Sequence, residues 1–139
     1  MNNGDRPSPE AAQGLRARSV TASFTADDLD RSVRFYTEGL GFEVEERHEE
    51  AGQPVFVALQ AGEARLGIGQ DDFAKGRNRL KGVGMRIWIT TDQDLHVLAD
   101  RVTAAGYTLA EKVGPLPWGP LAFAVVDPDG FALTITNGT

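Results

Sequence analysis

VTASFTADDLDRSVRFYTEGLGFEV, residues 20–44, and MRIWITTDQDLHVLADRVTAAGYTL, residues 85–109, follow one plan. Each stretch begins with a short run in which apolar and polar residues alternate, which is typical of a strand with one buried face. An acidic turn, a set of apolar residues at helical spacing and a terminating glycine, Gly41 or Gly106, come next. Alternation then resumes. A strand–helix–strand unit that occurs twice predicts a duplicated fold.

The sequence after the first unit predicts two more strands. Residues 54–59 alternate after the turn at Ala51-Gly52, and Leu66 and Ile68 mark a further strand. The first module therefore reads βαβββ. Its helix has Asp27 and Asp28 at the N-terminus, and either side chain is expected to cap the first amides.

The second module is predicted to have the same order. Residues 121–126 and 131–136 read as strands on either side of the tight turn Asp127-Pro128-Asp129-Gly130. Aligning the modules at their last strands makes Phe123 the predicted counterpart of Phe56. The stretch before these strands, Gly114 to Pro120, is rich in proline and glycine.

We expect a flexible N-terminal tail at residues 1–16 and a single domain at residues 17–139. Within the domain, module one covers residues 17–70, a linker covers 71–82, and module two covers 83–139. The linker has no strong apolar pattern, and we expect its basic side chains to be solvated rather than to bind an anion. These side chains are Lys75, Arg77, Arg79 and Lys81.

The composition excludes several classes of protein. The 139 residues carry a net charge of -6, which argues against nucleic-acid binding because phosphate contacts need clustered Lys and Arg. No apolar run approaches the ~20 residues of a membrane span, and no leader opens the chain, so we expect a soluble, cytoplasmic protein. The absence of cysteine excludes disulfides, thiolate catalysis and cysteine-bound zinc.

Three segments resemble one known family. DDLDRSVRFYTEGLGF (27–42), Pro117-Trp118-Gly119 and the DPDG turn (127–130) occur in the order and spacing of the vicinal-oxygen-chelate superfamily. This superfamily includes glyoxalase I, bleomycin-resistance proteins and extradiol dioxygenases, and the resemblance extends over residues 18–137. It implies an α+β fold in which two tandem βαβββ modules enclose a cleft with their curled mixed sheets. The helices cover the outer faces, and a homodimer partner often completes the cleft.

The resemblance also implies where a divalent metal would be bound. The family's ligand positions fall on Thr21, Gly67, Arg86 and Thr134; the second-module position is Ile87 if the strand register shifts by one. Threonine hydroxyls are poor ligands without carboxylate neighbours, and a guanidinium cannot coordinate a metal. We therefore expect no metal, no cofactor and no catalytic residue. Both histidines, His48 and His96, are interpreted as ordinary surface residues.

Alternate residues of a strand point to opposite faces of the sheet, and this parity predicts which side chains line the cleft. Aromatic walls with a few hydroxyls and one fixed charge suit a flat organic molecule with polar edges. An inward Arg86 would need a carboxylate or an anionic ligand, because a buried unpaired charge is costly. Thr25, Thr90 and Thr136 share this parity. The predicted ligand-binding residues are Thr21, Ser23, Phe56, Gly67, Arg86, Trp88, Trp118, Phe123 and Thr134.

These observations favour a metal-free protein that binds and sequesters a small, antibiotic-like molecule as a homodimer, without a chemical step. The acidic balance favours a cationic ligand, whereas Arg86 favours an anionic or carbonyl-bearing one, and the sequence leaves this open. One alternative is a lyase or dioxygenase-like enzyme of the same superfamily with a displaced metal site, or one that uses Arg86 as an electrophile. Another is an assembly module without a ligand.

Overall fold

A computed structural model describes residues 14–138; the tail predicted at residues 1–16 therefore lies mostly outside the described part. The helices are α1, Leu29–Arg34, which a π-helical turn at Phe35–Gly39 continues, and α2, Leu95–Ala104. Neither has the length and apolar character that a membrane crossing requires. The strands are β1 Ala22–Ala26, β2 Glu43–Glu50, β3 Gln53–Ala61, β4 Ala64–Gln70, β5 Arg86–Thr90, β6 Glu111–Pro115, β7 Leu121–Val126 and β8 Ala132–Thr136.

The strands form two four-stranded mixed sheets of identical topology, which confirms the predicted α+β fold of two βαβββ modules. Their orders are β1-β4-β3-β2 and β5-β8-β7-β6. Strands β1 and β4 are parallel neighbours in the first sheet, as are β5 and β8 in the second. All other neighbouring strands are antiparallel. Ala22 lies opposite Leu66 in the first sheet, and Ile87 lies opposite Leu133 in the second. This register makes the two pairs equivalent.

Both helices begin and end where the sequence predicts. The Asp28 side chain caps α1 by accepting from the Arg31 N–H, and Asp94 caps α2 by accepting from the His96 N–H. Gly41 and Gly106 follow the helical segments with φ of 83° and 97°, a backbone region that side chains with a Cβ disfavour.

One face of each sheet and the apolar stripe of its helix form a single core that both modules share. Leu66 and Ile68 contribute to it from β4, and Leu133 and Ile135 from β8. Aromatic rings cross between the modules: Phe24 stacks on Phe131 with ring centroids 4.5 Å apart. The opposite face of each sheet carries no helix.

Two strand predictions fell short. Strand β2 continues through the charged run after Val44 to Glu50. In module two the strand that follows the helix is β6, Glu111–Pro115, which begins beyond the predicted stretch that ends at Leu109. All eight residues of β2 are exposed, so no buried face produces the apolar alternation that reveals a strand. Bulges interrupt the pairing of both strands, which further obscures the period.

The DPDG turn of module two is bound to α1 of module one. Tyr36 Oη donates to Asp127 Oδ2 (2.8 Å), while the N–H groups of Asp129 and Phe131 donate to Asp127 Oδ1 (both 2.9 Å). Burial raises the pKa of Asp127 against the effect of these hydrogen bonds, and burial beside Asp127 also raises the pKa of the Tyr36 hydroxyl. Asp129 in turn accepts from Ser32 Oγ (3.0 Å).

The linker is not fully solvated, and the prediction is wrong for Lys81. Its side chain is 6% exposed and lies between the carboxylates of Asp27 and Asp71 (Nζ–Oδ2 of Asp71, 3.0 Å). Arg79 adds a second contact to Asp71 at 3.1 Å. Sequence patterns do not show that these charges meet, because Lys81 is 54 residues from Asp27 along the chain.

Tyr36→Phe is expected to destabilise the fold by about 1–3 kcal/mol, because it leaves the buried Asp127 carboxylate without one of its hydrogen-bond donors. Urea unfolding measures the effect, with Tyr107→Phe at a half-buried ring as the matched control. A midpoint for Tyr36→Phe equal to that of the unmodified chain would contradict the role of this bond.

Asp71→Asn is expected to flatten the acid limb of the stability curve. The Phe73 N–H, followed by Lys81, lowers the pKa of Asp71 from its ordinary value to about 2. A carboxylate whose pKa is lower in the folded state stabilises the protein above its unfolded pKa, and this contribution disappears from about pH 4 down to about pH 2. Denaturant midpoints across this range measure the loss; Asp100→Asn, an exposed aspartate on α2, should retain the full acid dependence.

Candidate ligand-binding site

The helix-free side of each sheet, called here its open face, carries most of the predicted site residues. On the second sheet, Trp88 lies opposite Thr134, which is itself opposite Ala124 on β7. Ile87 pairs with Leu133 on the core side. The register that was ambiguous in the sequence therefore places Arg86, and not Ile87, on the open face.

Four predicted residues meet on the open face of the second sheet. Arg86 Nη1 donates to Thr134 Oγ1 at 2.7 Å, which orients the guanidinium along the sheet. The Trp88 ring lies 6.1 Å from that of Trp118, which comes from the loop between β6 and β7. The two indoles are 48% and 57% exposed. Large exposed aromatics beside an oriented cation form a surface that can stack on a flat molecule and bind its oxygen atoms.

Arg86 is exposed, so the expectation of a buried inward arginine is wrong. The cause is local openness: within residues 14–138, the indoles of Trp88 and Trp118 beside Arg86 are both exposed, so this part of the second sheet's open face is uncovered. Arg86 consequently pays no burial cost that a carboxylate would have to offset.

On the first sheet, Ser23, Phe56 and Gly67 also meet. Ser23 lies opposite Gly67, and Phe56 extends across β4 from the neighbouring strand β3. A Cβ on Gly67 would come within 2.6 Å of the Phe56 ring, so glycine is required for the ring to lie there. Thr21 precedes the first residue of β1 and is exposed.

Phe123 does not lie on an open face, so its predicted place beside Phe56 and the other open-face residues is wrong. It is 1% exposed in the shared core and pairs with Ile135 on the helix side of the second sheet. Since Leu66 corresponds to Leu133, the true counterpart of Phe123 is Val57, and Phe56 corresponds to Ala122. The offset between the modules is 67 residues for β4 and β8 but 66 for β3 and β7. A single offset therefore misplaces β3 by one residue, and in a strand such a slip exchanges the two faces.

Sequence reasoning missed two residues on the open face of the first sheet. His48 pairs with Phe56 across β2 and β3, with ring centroids 6.1 Å apart, and its Nε2 lies 2.6 Å from Glu46 Oε1. His48 lies within β2 and not in an irregular charged segment. The available signal was that Glu46 and His48 are two residues apart and would share a face of a strand. Residues 45–50 are all polar, so no contrast between apolar and polar residues identifies the strand.

The residues at the family's metal positions do not fit a metal. Among residues 14–138, no three His, Asp or Glu side chains converge as a metal site would require. Thr134 accepts a hydrogen bond from Arg86, whose positive charge would repel a cation at this place. Gly67 offers no side chain at all.

Comparison with known proteins identifies a family over most of the chain. Residues 18–135 match the family described as the Glyoxalase/Bleomycin resistance protein/Dioxygenase superfamily. No curated protein matches the chain.

Solved structures share the fold. TioX from Micromonospora sp. ML1 is similar with a TM-score of 0.71 and 19% identity, over 88% of this chain and 100% of that one. A glyoxalase-related enzyme from Fulvimarina pelagi has a TM-score of 0.67 and 23% identity, over 88% of each chain. A glyoxalase I mutant from Zea mays has a TM-score of 0.71 and 21% identity over 88% of this chain, but only 45% of its own length is matched.

Because both tryptophans of the chain are exposed and adjacent, Trp88→Phe is expected to change the fluorescence of Trp118 as well as to remove its own. The unmodified protein should emit near the wavelength of indole in water, and acrylamide should quench most of its emission. The near-ultraviolet circular dichroism of the indole pair should be lost in Trp88→Phe and in Trp118→Phe alike. A signal equal to the sum of the two single-tryptophan variants would show that the rings do not interact.

Proposed function

The chain belongs to the Glyoxalase/Bleomycin resistance protein/Dioxygenase superfamily, and from this premise we propose that it is a metal-free binding protein that sequesters a small, flat, antibiotic-like molecule. The observation that carries the proposal is the Trp88–Trp118 pair beside Arg86 on a helix-free sheet face. Monomeric soluble proteins seldom expose such a surface without a binding role.

The residues of this face favour a planar ligand with an oxygen acceptor. Two indoles with centroids 6.1 Å apart and tilted by 43° present ring faces on which an aromatic system can stack. The Thr134 hydroxyl directs the Arg86 guanidinium, and a directed guanidinium binds a carboxylate, phenolate or carbonyl oxygen well. Of the two ligand charges that the sequence left open, the geometry favours the anionic or carbonyl-bearing one.

A homodimer is part of the proposal. Ser23, Phe56 and Gly67 lie on the open face of the other sheet, and within residues 14–138 this face does not close over Trp88. A second copy of the chain could bring the first-sheet face of one protomer over the second-sheet face of its partner. Enclosure between two faces would bury far more ligand surface than either face alone. The cytoplasmic location stays a prediction from the sequence.

One observation favours a second candidate, an enzyme of the same superfamily with a displaced metal or acid–base site. Glu46 and His48 form a carboxylate–imidazole pair on the open face of the first sheet. Such pairs hold metals or transfer protons when further groups join them. Two of the proteins with the same fold, glyoxalase I and the glyoxalase-related enzyme, are named as enzymes, which is consistent with this second candidate.

Trp88→Ala and Arg86→Ala are each expected to weaken binding of a planar aromatic antibiotic by about tenfold or more. Lost stacking, or a lost charged hydrogen bond, costs roughly 1.4 kcal/mol or more. A thermal-shift screen of planar antibiotics and metabolites would select the ligand, and calorimetry would measure its Kd. Val97→Ala, an exposed apolar residue on α2, is the matched control and should leave the Kd unchanged.

Elemental analysis of the purified protein separates the two candidates. A stoichiometric divalent ion that is lost in His48→Ala would support the enzyme and overturn the metal-free proposal. Unchanged affinity in both open-face variants would show that the ligand binds elsewhere.

A further inference from the structure

A cavity of about 480 Å³ lies between the two modules on the helix side of the sheets, away from the open faces. Buried apolar rings and chains form its floor, among them Phe42, Phe123 and Ile135. Its rim is polar and exposed, and it includes Glu63, Asp92, Gln93 and Arg101. A cavity of this volume falls within the roughly 300–1,000 Å³ of typical small-molecule sites.

The duplication of the fold explains why space remains here. Two modules of equal topology make two equivalent junctions, in each of which the β-turn before the last strand of one module meets the helix of the other. The first junction is filled: Phe24 stacks on Phe131, and Tyr36 lies beside Phe24 with centroids 6.5 Å apart. The cavity is the second junction, bounded by the turn between β3 and β4 and by the residues before α2.

Smaller residues occupy the equivalent positions of the second junction. Ile89 lies opposite Ile135 just as Phe24 lies opposite Ile68. Ala64 comes two residues before Leu66, as Phe131 comes two before Leu133. Both Ile89 and Ala64 line the cavity. Replacement of two aromatic rings by short aliphatic chains leaves the unfilled volume.

The turn that borders the cavity also lacks the anchor of its counterpart. At the filled junction, Asp129 accepts from the Asp27 N–H (2.9 Å) and holds the turn against α1. The turn beside the cavity is one residue shorter: four residues separate the paired Gln60 and Arg65, whereas five separate the paired Val126 and Ala132. Its one carboxylate side chain, Glu63, is exposed. The shorter turn therefore supplies fewer atoms to fill the second junction, in addition to the smaller side chains of Ile89 and Ala64.

We propose that the second junction binds a small, uncharged, ring-containing molecule with one hydrogen-bonding group. The counterpart junction demonstrates that aromatic rings fit this geometry, since the chain supplies them there itself. The apolar floor disfavours a charged ligand, and the rim carries both signs of charge. Arg101 already donates to the carbonyls of Thr37 and Glu38 at the end of the first helical segment, both at 3.1 Å. A polar group on the ligand would meet Thr91 or Gln93.

This site is independent of the open-face function, and its occupant would connect the two modules. Residues of both modules touch the cavity, with Phe42 and Ala61 on one side and Leu98 and Phe123 on the other. A ligand that contacts both would stabilise their docked arrangement, because it binds the folded chain and not the unfolded one.

Indole is the probe for this proposal, because it is a flat, neutral molecule with a single N–H donor. Titration of the ¹⁵N-labelled chain with indole is expected to shift the amides of Ala61, Gly62 and Thr91 saturably. Ala64→Phe places at the second junction the ring that Phe131 holds at the first, and it should weaken indole binding at least tenfold. Ile89→Phe fills the same space from the other module and keeps the test valid if Ala64→Phe does not fold.

Trp88→Ala is the matched control, because it removes the open-face stacking surface and leaves the cavity intact. It should change the Kd for indole by less than twofold. The proposal is overturned if indole shifts the amides near Trp88 and Trp118 instead and Trp88→Ala abolishes these shifts. It is equally overturned if no saturable shift occurs, or if a folded cavity-filling variant binds indole as the unmodified chain does. Failure of indole to bind the cavity would leave the proposed open-face function standing, because Arg86, Trp88 and Trp118 do not line the cavity.

Discussion

The burial of one face of each sheet beneath its helix is the constraint from which the rest of the structure follows. The two helix-side faces merge into one core with residues of both modules, and a larger core buries a greater fraction of the chain's surface than two small ones would. As a result, the apolar residues that alternate along β1, β4, β5 and β8 pack in or against this core. The opposite faces remain without a helix, and it is there that Trp88 and Trp118 are exposed.

Duplication sets the topology of the modules but not the side chains at their junctions. One junction is closed by Phe24, Tyr36 and Phe131 and by the hydrogen bonds of Asp127 and Asp129. The other is bordered by smaller residues and stays open. The asymmetry separates two tasks: one junction holds the modules together, and the other leaves a cavity that a small molecule can enter.

The open faces show how strand parity converts sequence into a candidate site. Arg86, Trp88 and Thr134 were predicted to lie together, and they do, because β5 and β8 are parallel neighbours with an uninterrupted register. Phe123 was misplaced by a one-residue slip in the alignment of β3 with β7. His48 was missed because β2 is bulged and exposed on both faces. Parity is reliable only where one face is buried and the pairing is regular.

The sequence by itself determined the fold class, the duplication, the helix termini and the open-face positions of Arg86, Trp88 and Thr134, because these depend on local periodicity and on short turns. The tertiary structure alone decided the contacts between distant segments. Lys81 between Asp27 and Asp71, the docking of Asp127 on Tyr36, and the cavity at the second junction all depend on how the modules pack. No local pattern records such contacts, since their partners lie tens of residues apart and meet only when the shared core forms.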